Sequence, residues 1–401
     1  MKNTFRKGLA LLMALCLLVP LFGISVLAEN AEDLPIDYQF KDVEVPDNDG
    51  AQALSAGMTN DPYSSQQWNL EMIGMGQAWQ SGLTGKGVRV AVIDTGVYTN
   101  TNDFGDGRLE AGKNLVTETA STNDTRGHGT FVAGLIGAEK DNGVGIAGVA
   151  PGVTIVPIKT SNDGSTADGV SAQAIRAAVD EFHCDVINYS SGSKALMSGV
   201  KDAVNYAVSK GTIVVCSTGN DGNTSLYYPG ALEATIGVGS VDKSMVRSSF
   251  SHNNRSIFVV APGEDSTSLG LGSGSVRTAS GTSYSAPLVA GLAALLKEAH
   301  PEMNTNDFKA ILQSSCKDLG EAGYDYEYGW GLIQAPEAIK AAATYFGTEV
   351  PDIPDTPEME PEPEPGEGWT IWELFNFDWL REFFQNIIRS LFKGWSPNLT
   401  F

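Results

Sequence analysis

Six short runs rich in β-branched residues punctuate the chain: Val88–Ile93, Ile155–Ile158, Val186–Tyr189, Thr212–Cys216, Ala234–Val238 and Ile257–Val260. An apolar run with no polar alternation has no solvated face, so as a strand it must be covered on both sides. Helical periodicity in the intervening stretches, notably Ala167–Phe182 and Met197–Ser209, supplies the covers. This alternation predicts an α/β fold of three layers, doubly wound, with a mainly parallel sheet between helices. A helix over Leu70–Gln80 and a turn at Thr84-Gly85-Lys86-Gly87 precede the first run. Helices over Thr282–Ala299 and Thr305–Gln313 close the unit, so residues 59–347 are expected to form one large domain. A chain of 401 residues exceeds this domain and carries appendages. No internal repeat is visible.

Residues 1–28 read as a secretory signal peptide. Lys2, Arg6 and Lys7 precede an almost wholly apolar run from Leu9 to Leu27, and Val26-Leu27-Ala28 offers small residues for cleavage. The run is nearly long enough to span a bilayer, so an uncleaved signal anchor is the alternative. Cys16 follows Leu15, where a lipidation signal requires a small residue. Residues 29–58 are acidic, with Pro35, Pro46 and Gly50 and little apolar periodicity, and are expected to be a short leader or flexible arm. Residues 348–368 alternate Pro with Glu and Asp; fixed φ and charge repulsion predict an extended, disordered linker. Beyond it, residues 369–401 place Trp372, Phe375, Trp379, Phe383, Ile387 and Leu391 at helical spacing, an amphipathic helix whose apolar face needs a partner. Candidates are a membrane surface, the main domain, a second copy or another protein; the balanced charges of the tail argue against attraction to anionic lipid.

The formal charge of −22, from 26 basic against 48 acidic residues, repels phosphate backbones and excludes nucleic-acid binding. Cys184, Cys216 and Cys316 are odd in number and have no zinc-site spacing, so buried free thiols are expected.

Four segments carry candidate chemistry. Val90-Ala91-Val92-Ile93-Asp94-Thr95-Gly96 sets a carboxylate at the carboxyl end of a buried strand, where α/β sheets place their sites; an Asp there is also an ordinary turn former. Gly127-His128-Gly129-Thr130 frames one of four histidines with glycines that permit close backbone approach, although a helix-capping or surface His fits too. Gly281-Thr282-Ser283 opens a long apolar helix, whose free N–H groups favour a developing oxyanion, but Ser is also a common N-cap. Ser217-Thr218-Gly219-Asn220 follows another strand and offers an amide donor, or only a turn residue.

Taken in their order Asp, His, Asn, Ser, these segments resemble the subtilisin-like serine peptidase family (subtilase, peptidase family S8). The resemblance runs from about Asp61 to Ala343 and includes the phrases from Asp141 to Pro151, Val259 to Gly263 and Tyr328 to Gly331. It implies a secreted serine endopeptidase acting on polypeptides. Ser283 is then the nucleophile, His128 the general base, Asp94 its orienting partner, and Asn220 an oxyanion donor with the Ser283 N–H. Ser190-Ser191-Gly192 and Ser217-Thr218-Gly219 would be backbone walls of a groove that pairs with an extended substrate, their short side chains leaving a roomy pocket before the cut. No cofactor is expected for catalysis. A structural Ca²⁺ is expected from oxygens of Asp61, Asp103 and Asn142 and the carbonyls of Lys140, Val144 and Ile146, with turn residues as the alternative. Phe131 and Tyr284 depart from the family pattern, which often has a second His and a Met there. The leader is far shorter than a folded pro-domain, which puts self-maturation in doubt. A catalytically silent fold used for binding is the competing reading; the complete set Asp94, His128, Asn220 and Ser283 speaks against it. A monomer is expected, tethered or regulated through its C-terminal helix.

Overall fold

Alternate side chains of a strand point to opposite faces, and here both sets are apolar. Val90 and Val92 enter one core while Ala91 and Ile93 enter the other; Ile213 and Val215 are likewise opposed to Val214 and Cys216. The computed structural model describes residues 39–43, 59–117, 121–164, 166 and 168–353. The expected signal peptide, most of the acidic leader, the linker past residue 353 and the helical tail lie outside the described residues.

In chain order the strands are β1 (Lys41–Asp42), β2 (Arg89–Asp94), β3 (Lys113–Asn114), β4 (Thr154–Lys159) and β5 (Val186–Tyr189). They continue with β6 (Ile213–Ser217), β7 (Ile236–Val241), β8 (Val259–Pro262), β9 (Ser266–Leu269) and β10 (Val276–Ala279). The helices are α1 (Trp68–Met72), α2 (Met75–Ala78), α3 (His128–Gly137), α4 (Asp168–Asp180) and α5 (Ser198–Ser209). They are followed by α6 (Thr282–Ala299), α7 (Thr305–Ser315) and α8 (Ala335–Phe346).

Seven strands form one sheet in the order β3-β4-β2-β5-β6-β7-β8, and every pairing in it is parallel. Helices α4 and α5 cover one face; α3, α6, α7 and α8 contribute to the core of the other. The doubly wound α/β expectation is therefore met. After β2 the chain crosses to β4 on one side, then returns past β2 to β5 on the other, so a crevice opens between the carboxyl ends of β2 and β5. A smaller antiparallel sheet has the order β1-β10-β9.

Three local expectations differ. The helix predicted over 70–80 breaks into α1 and α2 at Gly74, which takes a left-handed φ of +74°. Helix α8, with Pro336 in its first turn, follows the two helices expected to end the domain. Within the leader read as a flexible arm, residues 39–43 lie along the edge of β10, where Lys41 pairs with Thr278 and Asp42 with Arg277. Cys184 and Cys216 are buried free thiols and Cys316 is half-buried; burial pushes the Cys184 thiol up to about 12. Among the described residues no helix is long and apolar enough to cross a membrane.

Leu292 lies fully buried in α6 at 0% exposure. Leu292→Ala is expected to destabilise the fold by about 2–5 kcal/mol, seen as a lower denaturation midpoint at unchanged slope. An unmoved midpoint would contradict the packing of α6.

Candidate active site

Helix α6 is buried from Thr282 to Lys297, so its first turn must satisfy its free backbone groups inside the protein. Asn220, in the loop after β6, accepts from the Thr282 N–H at 2.9 Å and from its hydroxyl at 2.8 Å. That engages the amide oxygen of Asn220 and turns its NH2 away from Thr282. Pro287, four residues after Ser283, has no N–H to give the Ser283 carbonyl. Ser190, just past β5, supplies the donor instead: its hydroxyl reaches that carbonyl at 2.9 Å, and the Ser283 hydroxyl donates to the Ser190 carbonyl at 3.1 Å. Asn188 in turn donates to the Ser190 hydroxyl at 2.9 Å. The nucleophile candidate is thus tied to β5 by two reciprocal bonds.

Asp94 ends β2, and its carboxylate oxygens lie 2.8 and 2.9 Å from Nδ1 of His128, the first residue of α3. Both side chains are buried, at 2% and 1% exposure, so this pairing is shielded from water and salt. The Thr95 N–H donates to Asp94 Oδ1 at 2.7 Å, and Lys159, at the end of β4, donates to the Thr95 carbonyl at 2.5 Å. Burial holds the Lys159 pKa below the ordinary lysine range, while Asp124 and Asp94 pull it back up. The close approach of α3 to β2 depends on Gly129: a Cβ there would stand 2.1 Å from the Gly96 carbonyl and 3.0 Å from Asp94 Cβ. The Gly129 N–H donates to the Thr95 hydroxyl at 3.0 Å.

One organising residue escaped the sequence reading. Buried Asp124 accepts from the N–H groups of Arg126, Gly127 and Thr130 and from the Thr130 hydroxyl, and so builds the turn that delivers His128. The available signal was an Asp shortly before a helix start, which is the ordinary pattern of a cap.

Ser190-Ser191-Gly192 follows β5, and Ser217-Thr218-Gly219 spans the end of β6, the adjacent strand. A bridge between Ser193 and Tyr228 lies beyond the first wall. A pocket at Ser191 and Gly192 has a mixed lining, with Thr166, Ser171 and Ser193 beside Leu196, Met197 and Leu232. Fully buried His252 packs under Gly219 with Nε2 3.6 Å from the Asp221 carboxylate; burial holds its pKa down and the carboxylate opposes this. Phe131 and Tyr284 are both fully buried and in contact, their rings tilted by 46° with centroids 4.3 Å apart.

The six residues expected to hold calcium gather in one place away from the triad. Asp61 accepts from the N–H groups of Asp141, Asn142 and Gly143 at 3.0–3.2 Å. Asp103 accepts from the Asn142 amide at 2.9 Å and the Ile146 N–H at 3.0 Å, while Val144 N–H donates to Asn142 Oδ1. With the loop's N–H groups turned to these acceptors, the carbonyls of Lys140, Val144 and Ile146 remain for a hard cation, so the donor set fits Ca²⁺. Among the described residues no cluster of three or more His, Cys, Asp or Glu side chains could hold a metal. Burial pushes the Asp103 carboxyl up to about 7, and the nearby Asp61 and Glu139 add to the push.

The structure thus holds a buried Asp94–His128 pair at the end of β2 and, at the start of the buried helix α6, Ser283 tied to Ser190. The sequence profile of the Subtilase family (peptidase S8) matches residues 85–331, a span that contains Asp94, His128, Asn220 and Ser283. The chain belongs to this family of serine-type endopeptidases, which act on polypeptides without a catalytic cofactor. It is 36% identical to Subtilisin BL of Lederbergia lenta over 278 residues, 69% of this chain and 99% of that protein. It is 34% identical over 336 residues to the minor extracellular protease Epr of Bacillus subtilis (strain 168), covering 81% of this chain and 50% of Epr, so it spans half of that relative's length. A solved structure of a protease from Pseudoalteromonas arctica PAMC 21717 superposes with a TM-score of 0.65 at 29% identity, covering 71% of this chain and 99% of that one.

Ser190→Ala removes the donor to the Ser283 carbonyl and is expected to destabilise the protein by about 1–3 kcal/mol. Thermal melting alongside hydrolysis kinetics checks this; an unchanged melting temperature would show that the carbonyl has another donor.

Proposed function

We propose that the chain is a secreted serine endopeptidase that cleaves exposed polypeptide segments through an acyl-enzyme intermediate formed on Ser283. Ser283 attacks the scissile carbonyl, and His128 takes its proton and returns it to the leaving amine. Asp94 holds the imidazole and stabilises its charged form. The developing oxyanion is met by the Asn220 amide and the Ser283 N–H at the start of α6. The observation that carries this reading is the pair of buried contacts, 2.8 and 2.9 Å, between Asp94 and His128 Nδ1, which holds the other ring nitrogen for the serine.

Substrate lies extended between Ser190–Gly192 and Ser217–Gly219, where strand-like pairing uses backbone groups and tolerates many sequences. Residues 1–28 direct export, consistent with the extracellular character stated for Epr. Residues 369–401 tether or regulate a monomeric enzyme. A silent binding fold is the alternative, and one experiment separates the two. A fluorophosphonate probe is expected to label the wild type but not Ser283→Ala, whose kcat should fall by about 10⁶, the loss known for this serine in subtilisin. Asn220→Ala should lose about 10²–10³ in kcat, again the magnitude established for the subtilisin amide. A folded wild type that takes no label would support the binding fold.

The loop from Lys140 to Ile146, with Asp61 and Asp103, binds a structural Ca²⁺. An unfolded Asp titrates near ~3.9, whereas folded Asp103 titrates at about 7. Between these values only the folded chain holds the proton, so in chelator stability falls as pH rises from about 4 to about 7. Calcium needs the ionised carboxylate, so its stabilisation runs the other way. At a hundredfold excess over Kd it should add about 2.7 kcal/mol at pH 8 and less at pH 5. Melting curves with calcium and with chelator at both pH values measure this, and curves that coincide at pH 8 would remove the site.

A further inference from the structure

Strand β1 contains only two residues and is exposed, so its backbone pairing is a weak hold. Its ion pairs, Asp42 with Arg277 at 2.9 Å and Lys41 with Asp265 at 4.0 Å, are solvent-facing and add little. Phe40 and Val43 of this segment pack half-buried against the main core, and Phe40 is the larger of the two. Its ring lies 5.7 Å from the ring of Phe131, and the Arg277 guanidinium sits over it at 5.8 Å. A Cβ placed on Gly127, the residue before His128, would stand 3.7 Å from the Phe40 ring. Phe40 therefore covers the first turn of α3 at both Gly127 and Phe131.

Behind that turn the aromatic contacts continue to the proposed base. The Phe131 ring meets that of Tyr284 in a tilted contact at 4.3 Å, and Tyr284 lies 5.6 Å from the His128 ring. Phe131 and Tyr284 are the two residues that depart from the family pattern, and together with Phe40 they form one packed row ending at His128. Such contacts are stiff, because each ring has few rotamers and a gap at one end loosens its neighbours. Chain continuity also matters: the Val43 N–H donates to the Val276 carbonyl at 3.2 Å, which seats β1 in register on β10.

We propose that Phe40 is a positioning residue for hydrolysis: carried by β1, it seals the first turn of α3 and the Phe131–Tyr284 pair that backs the His128 imidazole. The proposal rests on His128 being the general base. Residues 39–43 accordingly remain docked in the working enzyme, and this part of the leader is a component of the catalytic domain.

The test uses the full chain with Phe40→Ala, Phe40→Leu and the exposed control Lys41→Ala. With a peptide substrate, Phe40→Ala is expected to lower kcat about fivefold at unchanged KM, the scale of one lost aromatic pair. Phe40→Leu should restore most of the loss, and Lys41→Ala should match the wild type. A second measurement needs no turnover: in a Ser283→Ala background, solvent exchange of the His128 Nδ1 proton is followed by NMR. Phe40→Ala should speed this exchange about fivefold, and Phe40→Leu should slow it again. Exchange and kcat both unmoved in Phe40→Ala would overturn the proposal, as would a rise in kcat. If the wild type hydrolyses nothing, the catalytic reading fails, while proton exchange still decides whether Phe40 positions His128. Should Phe40→Ala fail to fold, Phe40→Leu carries the same two measurements, and wild-type values for both would overturn the proposal.

Discussion

The buried first turn of α6 is the constraint on which the site depends. A helix end removed from water leaves backbone donors and acceptors that must be met by protein groups. Asn220 meets the Thr282 N–H, and Ser190 meets the Ser283 carbonyl that Pro287 cannot serve. These partners come from the loops after β6 and β5, neighbouring strands of the sheet. The same bonds that satisfy the helix therefore bring the serine to the carboxyl ends of the strands. They also bring it beside Ser190 and, through Thr282, beside Gly219, and they fix the amide oxygen of Asn220.

A second constraint is the approach of α3 to β2. Gly129 allows the two backbones to meet, Asp124 builds the turn, and Thr95 receives the Gly129 N–H. His128 is thereby presented to Asp94 in a site that excludes water, where a charged imidazole is worth stabilising. Lys159 places a buried cation near two buried carboxylates and limits the charge imbalance. Around this framework the rings of Phe40, Phe131 and Tyr284 follow one another to the imidazole of His128.

Much of this was legible in the chain because local chemistry was strongly patterned. The six apolar runs became the six longer parallel strands with ends shifted by at most three residues. The helices over 282–299 and 197–209 are matched by α6 and α5. The break at Gly74 was missed because a single glycine is tolerated in helical patterns, and the docked segment 39–43 because five residues carry too little periodicity to declare a strand. Asp124 was invisible for a different reason: its four bonds form only once the turn closes, and an Asp before a helix looks the same whether or not catalysis depends on it.

The sequence alone determined the class of fold and pointed to the candidate reactive side chains, since apolar runs and glycine-framed polar residues dictate burial and close approach wherever they sit. Only the tertiary structure decided how those side chains are held. Asp94 and His128 are 34 residues apart, and Ser190 and Ser283 are 93 apart. Contacts across such separations are set by strand order and helix packing, and the bare order of residues does not specify either.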